Sequence, residues 1–217
     1  MITEAQLLEM VKEAKSAEKK PKFKQSVELI MVFKDIDVKK GFSLNETVQL
    51  PKTHSPAAVC VMASGDMGLK AKSAKADRVI DNEELNRLAA NKRESRKMIN
   101  SFDFFLADTK LMPVVGKVLG QILGPRGKMP IPVPFNASIE SFLQRFRSSV
   151  RVKVKNSLSL ACKIGDESME DSELAQNAHA VINAVEKKLP NGEKNLRKVM
   201  IKTTMGKLIK QPQVVKK

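Results

Sequence analysis

Few side chains in this sequence are of types that perform chemistry, and their spacing does not assemble a reaction centre. The two cysteines, Cys60 and Cys162, each lie inside an apolar run, AAVCVMA and LSLACKI. Such positions suit buried small hydrophobes in a reducing compartment, not a disulfide or a metal ligand. His54 and His179 stand far apart, and neither has a cysteine or a second histidine at ligand spacing. The acidic runs DNEE and DESMED read as helix starts, where carboxylates favour the N-terminal dipole, rather than as paired catalytic acids. The turn SGDMG at residues 64–68 follows an apolar run, yet it lacks the glycine spacing and the later acidic partner of a dinucleotide site. No catalytic residue, metal or cofactor is therefore expected.

What the sequence does carry is positive charge. Its 39 Lys+Arg against 24 Asp+Glu leave a formal charge of +15 over 217 residues. Phosphates neutralised by lysine and arginine release condensed counterions, so such a chain is drawn to a polyanion. Nucleic acid and an anionic membrane both qualify. No stretch approaches the roughly 20 apolar residues that span a bilayer, and the N-terminus MITEAQLLEMVKEAK lacks a basic start followed by an apolar core. A soluble, intracellular protein is expected. The aromatic residues, 4% of the chain, are all Phe. That argues against gripping single strands by stacking bases on many rings, and for recognition through shape, phosphate and polar contacts.

The elements that must position these charges follow from periodicity. Thr3 and Gln6 have capping-box spacing, and Leu7, Val11 and Ala14 then share a face, predicting a helix over 3–15. After a basic linker, KSAEKKPKFK, the residues Val27, Leu29, Met31 and Phe33 alternate as in a strand with one buried face, and TVQL at 47–50 is a second strand. AAVCVMAS is continuously apolar, as in a strand buried on both faces. A short helix near 67–76, a strand at RVI, a helix opened by Asp81 with Glu84 three residues on, and the run FDFFLAD follow, an alternation that predicts a parallel α/β unit. The segment 111–134 predicts a helix ending in a rigid basic loop, and a helix near 138–146 closes the unit. Alternation returns at Val150, Val152 and Val154 and again at Leu158–Ile164. A helix lined by Leu174, Ala178, Val181, Ile182, Val185 and Leu189 and a strand RKVMIKTT complete the chain. The return of the same sheet pattern at both ends predicts an α/β unit inserted into an α+β unit, with the connecting passages as a hinge.

The blocks VLGQILGPRGKMP (Val118–Pro130), IKTTMG (Ile201–Gly206) and KFKQSVEL (Lys22–Leu29) resemble the ribosomal protein L-one family, in the same order and with the same spacing over nearly the whole chain. Lys207, where many bacterial members carry proline, and the chain as a whole suggest its archaeal and eukaryotic branch, within which the wording GPRGKMP favours the archaeal side. The resemblance implies a split α+β sandwich domain of residues 1–56 and 147–217, with an inserted Rossmann-like three-layer α/β domain over 57–146. It also implies a structural constituent of the 50S-type large ribosomal subunit, cytoplasmic and monomeric when free. That constituent would bind large-subunit rRNA at a mobile stalk, assist release of exit-site tRNA, and in some members repress translation of its own mRNA.

Carried onto this sequence, the family's RNA-contact positions are Phe23, Ser26 and Glu28, then Thr204, Met205 and Gly206, with Lys22 and Thr203 flanking them. Short polar groups and a glycine let a sheet edge approach an RNA minor groove and exchange hydrogen bonds with 2′-hydroxyls and base edges. Glu28 would add selectivity by accepting from guanine amino groups or 2′-hydroxyls. From the residues alone, Phe23 reads first as a core aromatic, and the serine and threonines as ordinary strand residues. Arg126 and Lys128 read either as secondary RNA contacts through phosphate or as parts of a fixed turn. The alternative function is an RNA-processing or RNA-modifying enzyme with its active site in the α/β unit, which would need a cofactor turn or carboxylate cluster.

Overall fold

The computed structural model describes residues 2–16, 22–36, 42, 44–134, 137–154 and 157–210. In chain order the elements are α1 (Glu4–Lys15), β1 (Ser26–Phe33), β2 (Leu44–Gln49), β3 (Val59–Met62), α2 (Gly65–Ser73), β4 (Arg78–Ile80) and α3 (Asn82–Ala90). They continue with α4 (Lys92–Ser101), β5 (Phe104–Asp108), α5 (Met112–Arg126), β6 (Ile131–Val133), α6 (Ile139–Arg147), β7 (Ser149–Val154), β8 (Ser159–Asp166), α7 (Asp171–Glu186), β9 (Leu196–Thr203) and β10 (Ile209–Lys210). The architecture is mixed α and β with both antiparallel and parallel sheets, and the chain forms two compact units, residues 1–55 with 148–217 and residues 56–147.

The first unit is built on an antiparallel sheet of order β10-β9-β1-β8, beside a two-stranded ribbon β2-β7. Alternation on β1 buries Val27, Leu29, Met31 and Phe33 against Leu7, Met10, Val11 and Ala14 of α1 and the apolar face of α7. The helix α1 starts as its capping box demands: Gln6 N donates to the Thr3 hydroxyl, and Thr3 N donates to the Gln6 side chain. The other face of β1, with Ser26, Glu28, Ile30 and Val32, is only partly covered.

In the second unit four parallel strands run in the order β4-β3-β5-β6. On β3, Val59 and Val61 face a core closed by α2 and α6, while Cys60 and Met62 face one closed by α3, α4 and α5. Each apolar run buried on both faces is thus explained by helices on both sides.

Three details depart from the periodicity. The helix opened by Asp81 stops at Ala90, and Asn91, with backbone at φ −111° and ψ 85°, accepts from Glu94 N to start a separate helix, α4. The Pro-rich segment after α5 contains a strand, β6, which is tolerable because Pro132 lies on a sheet edge where a missing N–H leaves no gap in the ladder. The third is β10, two residues long. Gly127, at φ 68°, ends α5 in the left-handed conformation that glycine adopts without penalty.

Candidate nucleic-acid interface

The start of β1 and the end of β9 are antiparallel neighbours, with Val27 opposite Thr203 and Glu28 opposite Lys202. This register joins two blocks from opposite ends of the chain. Ser26 N donates to the Thr204 hydroxyl at 3.1 Å, the two hydroxyls lie 3.1 Å apart, and Thr204 N donates to the Ser26 carbonyl at 3.1 Å. Below them the buried side chain of Gln25 accepts from Met205 N at 3.0 Å, while its backbone carbonyl accepts from Glu167 N at 2.9 Å. Gly206 N closes the turn on the Thr203 carbonyl at 3.1 Å. The turn is therefore rigid and leaves Met205 73% exposed, while Phe23, three residues before Ser26, is 53% exposed. Lys22 and Lys24 are exposed beside them.

Space, not backbone conformation, dictates Gly206. A Cβ there would sit 2.1 Å from the Thr203 hydroxyl oxygen. Thr203 is itself buried, and among the described residues its hydroxyl has no hydrogen-bond partner.

Glu28 stands in the sheet between two lysine positions, Lys163 on β8 and Lys202 on β9. Lys163 reaches Asp166 at 2.6 Å, and the Ser55 hydroxyl donates to the same carboxylate at 2.5 Å. Burial alone would push Asp166 up. The hydrogen bonds from Lys163 and Ser55, with the charges of Lys163 and Lys24, outweigh it and hold the carboxyl below its usual range. Sequence reasoning missed Gln25, Lys163, Asp166 and Lys202. The two lysines had a signal, as outward positions of alternating strands; Gln25 and Asp166 become visible only once β1, β8 and β9 are paired.

The remaining chemical groups do not join this site. Cys60 and Cys162 have their thiols pushed up to about 12, chiefly by burial, with the Glu28 charge contributing at Cys162. His54 is exposed, and His179 lies 3.5 Å from Glu4 and 3.3 Å from Asn183. Among the described residues no three His, Cys, Asp or Glu are placed to hold a metal ion. Arg126 donates to the Arg96 carbonyl at 3.3 Å and to Asn100 at 2.6 Å, and Lys128 donates to the carbonyls of Ile99 at 3.2 Å and Phe102 at 2.5 Å. Both heads reach the end of α4, as a fixed turn requires, and the Arg126 side chain stays exposed at the surface. The SGDMG segment, expected as a turn, instead caps and opens α2, and there a Cβ on Gly68 would meet the Ala63 carbonyl at 3.1 Å, a packing reason for a glycine.

Residues 11–207, which include both blocks of the interface, match the ribosomal protein L1p/L10e family. The chain belongs to that family. It is 66% identical to the large ribosomal subunit protein uL1 of Cenarchaeum symbiosum over 215 residues, 99% of this chain and 100% of the relative. The protein of the same name from Thermofilum pendens is 44% identical, covering 100% of this chain and 98% of its own length, and that of Methanothermobacter thermautotrophicus is 38% identical, covering 94% and 98%. These L1p/L10e relatives are archaeal, in keeping with the wording of the Gly/Pro block and with Lys207.

Proposed function

We propose that this chain is a structural constituent of the large ribosomal subunit, and that its first unit holds large-subunit rRNA through Lys22, Phe23, Ser26, Glu28, Thr204, Met205 and Gly206, with the buried Thr203 side chain shaping the turn beneath them instead of reaching the RNA. The observation that carries the reading is the hydrogen-bonded junction of Ser26 with Thr204, which fixes the turn that presents exposed Met205 beside the start of β1, three residues after exposed Phe23. A rigid turn with a glycine at its closest point suits an RNA minor groove, where hydroxyls and backbone groups meet 2′-hydroxyls and base edges. The lysines nearby supply attraction, and Glu28, flanked by Lys163 and Lys202, supplies selectivity.

On this reading the chain ends form a discontinuous RNA-binding domain, and the α/β unit is inserted in it. No reaction is assigned to either. The protein works in the cytoplasm on the ribosome and is a monomer when free. Assistance to release of exit-site tRNA, through motion of the stalk the protein is bound to, and repression through its own mRNA, which would draw on the same RNA-binding surface as the rRNA, belong to the same proposal.

The test is binding of the purified chain to its own large-subunit rRNA stalk fragment, titrated against salt beside an unrelated hairpin of equal length. Tight, fragment-selective binding supports the proposal. Equal and equally salt-sensitive binding to both RNAs defeats it, leaving only a basic protein.

A further inference from the structure

The second unit has a charged face that the interface above does not use. On α4 the residues Ser95, Met98 and Ile99 are buried, and Lys92, Arg93, Arg96 and Lys97 are exposed. With 3.6 residues per turn, Lys92, Arg96, Asn100, Arg93 and Lys97 share one arc of about 140°. No carboxylate falls on it, since Glu94 points to the flank, where the Asn91 side chain donates to it at 3.3 Å. The Arg126 guanidinium, bonded to the Arg96 carbonyl and to Asn100, adds a fifth positive charge at the edge of the same arc. Among the described residues none of these five cations makes an ion pair. Four of them adjoin on one short helix. Like charges so placed repel one another by a few tenths of a kcal/mol per pair, and Glu94 on the flank is the one carboxylate α4 itself offers against them.

We propose that this α4 face is a second RNA contact, seated on the phosphate backbone of the same rRNA that the first unit holds. The inference rests on the proposed function. The face has charge and no apolar side chain to insert, which fits a phosphate backbone and not a bilayer surface, where an amphipathic helix needs a greasy face. Arg126 extends the face while its bonds to α4 hold it in place.

The experiment compares the full chain with Lys92→Gln/Arg93→Gln/Arg96→Gln/Lys97→Gln on the rRNA stalk fragment and on the unrelated hairpin, across a salt series. A contact that neutralises several phosphates predicts a salt slope shallower by about 2 to 4 in the variant, with affinity at low salt reduced at least tenfold. The preference for the stalk fragment over the hairpin should persist, because phosphate contacts carry no sequence information. Arg93→Lys/Arg96→Lys should keep the wild-type slope, and matching thermal melts guard against a folding defect. Unchanged slope and affinity in the glutamine variant overturn this inference. So does loss of binding to phosphatidylserine vesicles with RNA binding intact, which would make the face a membrane contact. Loss of fragment preference in the wild-type chain defeats the proposed function instead, so the two failures are distinct.

Discussion

Thr203 and Gly206 form a steric pair whose consequences can be read in binding and in stability. The Thr203 hydroxyl occupies the space that a Cβ at position 206 would need, 2.1 Å away. Gly206→Ala should therefore displace the turn that presents Met205 and weaken rRNA binding about tenfold or more, and adding Thr203→Ala should restore part of it by vacating that space. No recovery in the double variant would refute the steric account. Because the same hydroxyl is buried without a partner among the described residues, Thr203→Val should be neutral or stabilising by up to about 1 kcal/mol in a thermal or denaturant melt, against the usual cost of about 1–3 kcal/mol for leaving a buried polar group unsatisfied. Thr204→Ala and Met205→Ala should each lower rRNA affinity while melting within about 0.5 kcal/mol of wild type for exposed Met205; unchanged affinity in both would remove the assigned site. Asp166 contributes a pH dependence. Its folded-state pKa is depressed, so its stabilisation is present above the ordinary carboxylate range and is lost as pH falls through the folded value. The stability gap between wild type and Asp166→Asn should be widest near neutral pH and close in acid; a gap that widened on acidification would reverse the sign.

At the scale of elements, the site exists because strands from distant parts of the chain are paired, β1 with β9 and with β8, and a buried side chain secures β8 behind them. Asn177 on α7 is fully buried; its amide donates to the carbonyls of Lys52 and Ile164, both at 2.8 Å, and accepts from Lys52 N at 3.1 Å. It ties helix, β8 and the segment after β2. Asn177→Ala would strand those backbone groups, and a loss of about 2–4 kcal/mol is expected in a denaturant melt; a loss under about 1 kcal/mol would mean that water replaces the amide. Most elements were legible in the sequence because local signals coincide: the capping box before α1, the Asp81 cap before α3 and the alternation of β1 and β8. The helix α4 was hidden because Asn91 is the only break between two helical patterns, with neither proline nor glycine to mark it. Pro130 and Pro132 hid β6. In the interface, Phe23, Ser26, Glu28 and the Thr-Met-Gly run were legible through the resemblance, whereas Gln25 and Asp166 depend on the pairing of β1 with β8 and β9, which no local pattern specifies.

For the whole molecule, the excess of positive charge announced a polyanion but not which faces meet it, since a lysine on a strand and one on a linker count alike in a sum. The cores give a cleaner handle on the two units. Cys162 is buried in the core of the first and Cys60 in one of the two cores of the second. With both thiols pushed up to about 12, mainly by burial, neither should react with a thiol reagent at neutral pH until its own core opens, because the thiolate is the nucleophile. Cys60→Ala and Cys162→Ala variants thus make each unit report its own opening. Labelling across a denaturant series should show Cys60 and Cys162 becoming reactive in separate transitions if each core is an independent cooperative unit. Coincident transitions would mean that the units unfold together, and fast labelling of either thiol without denaturant would contradict the burial that the cores impose.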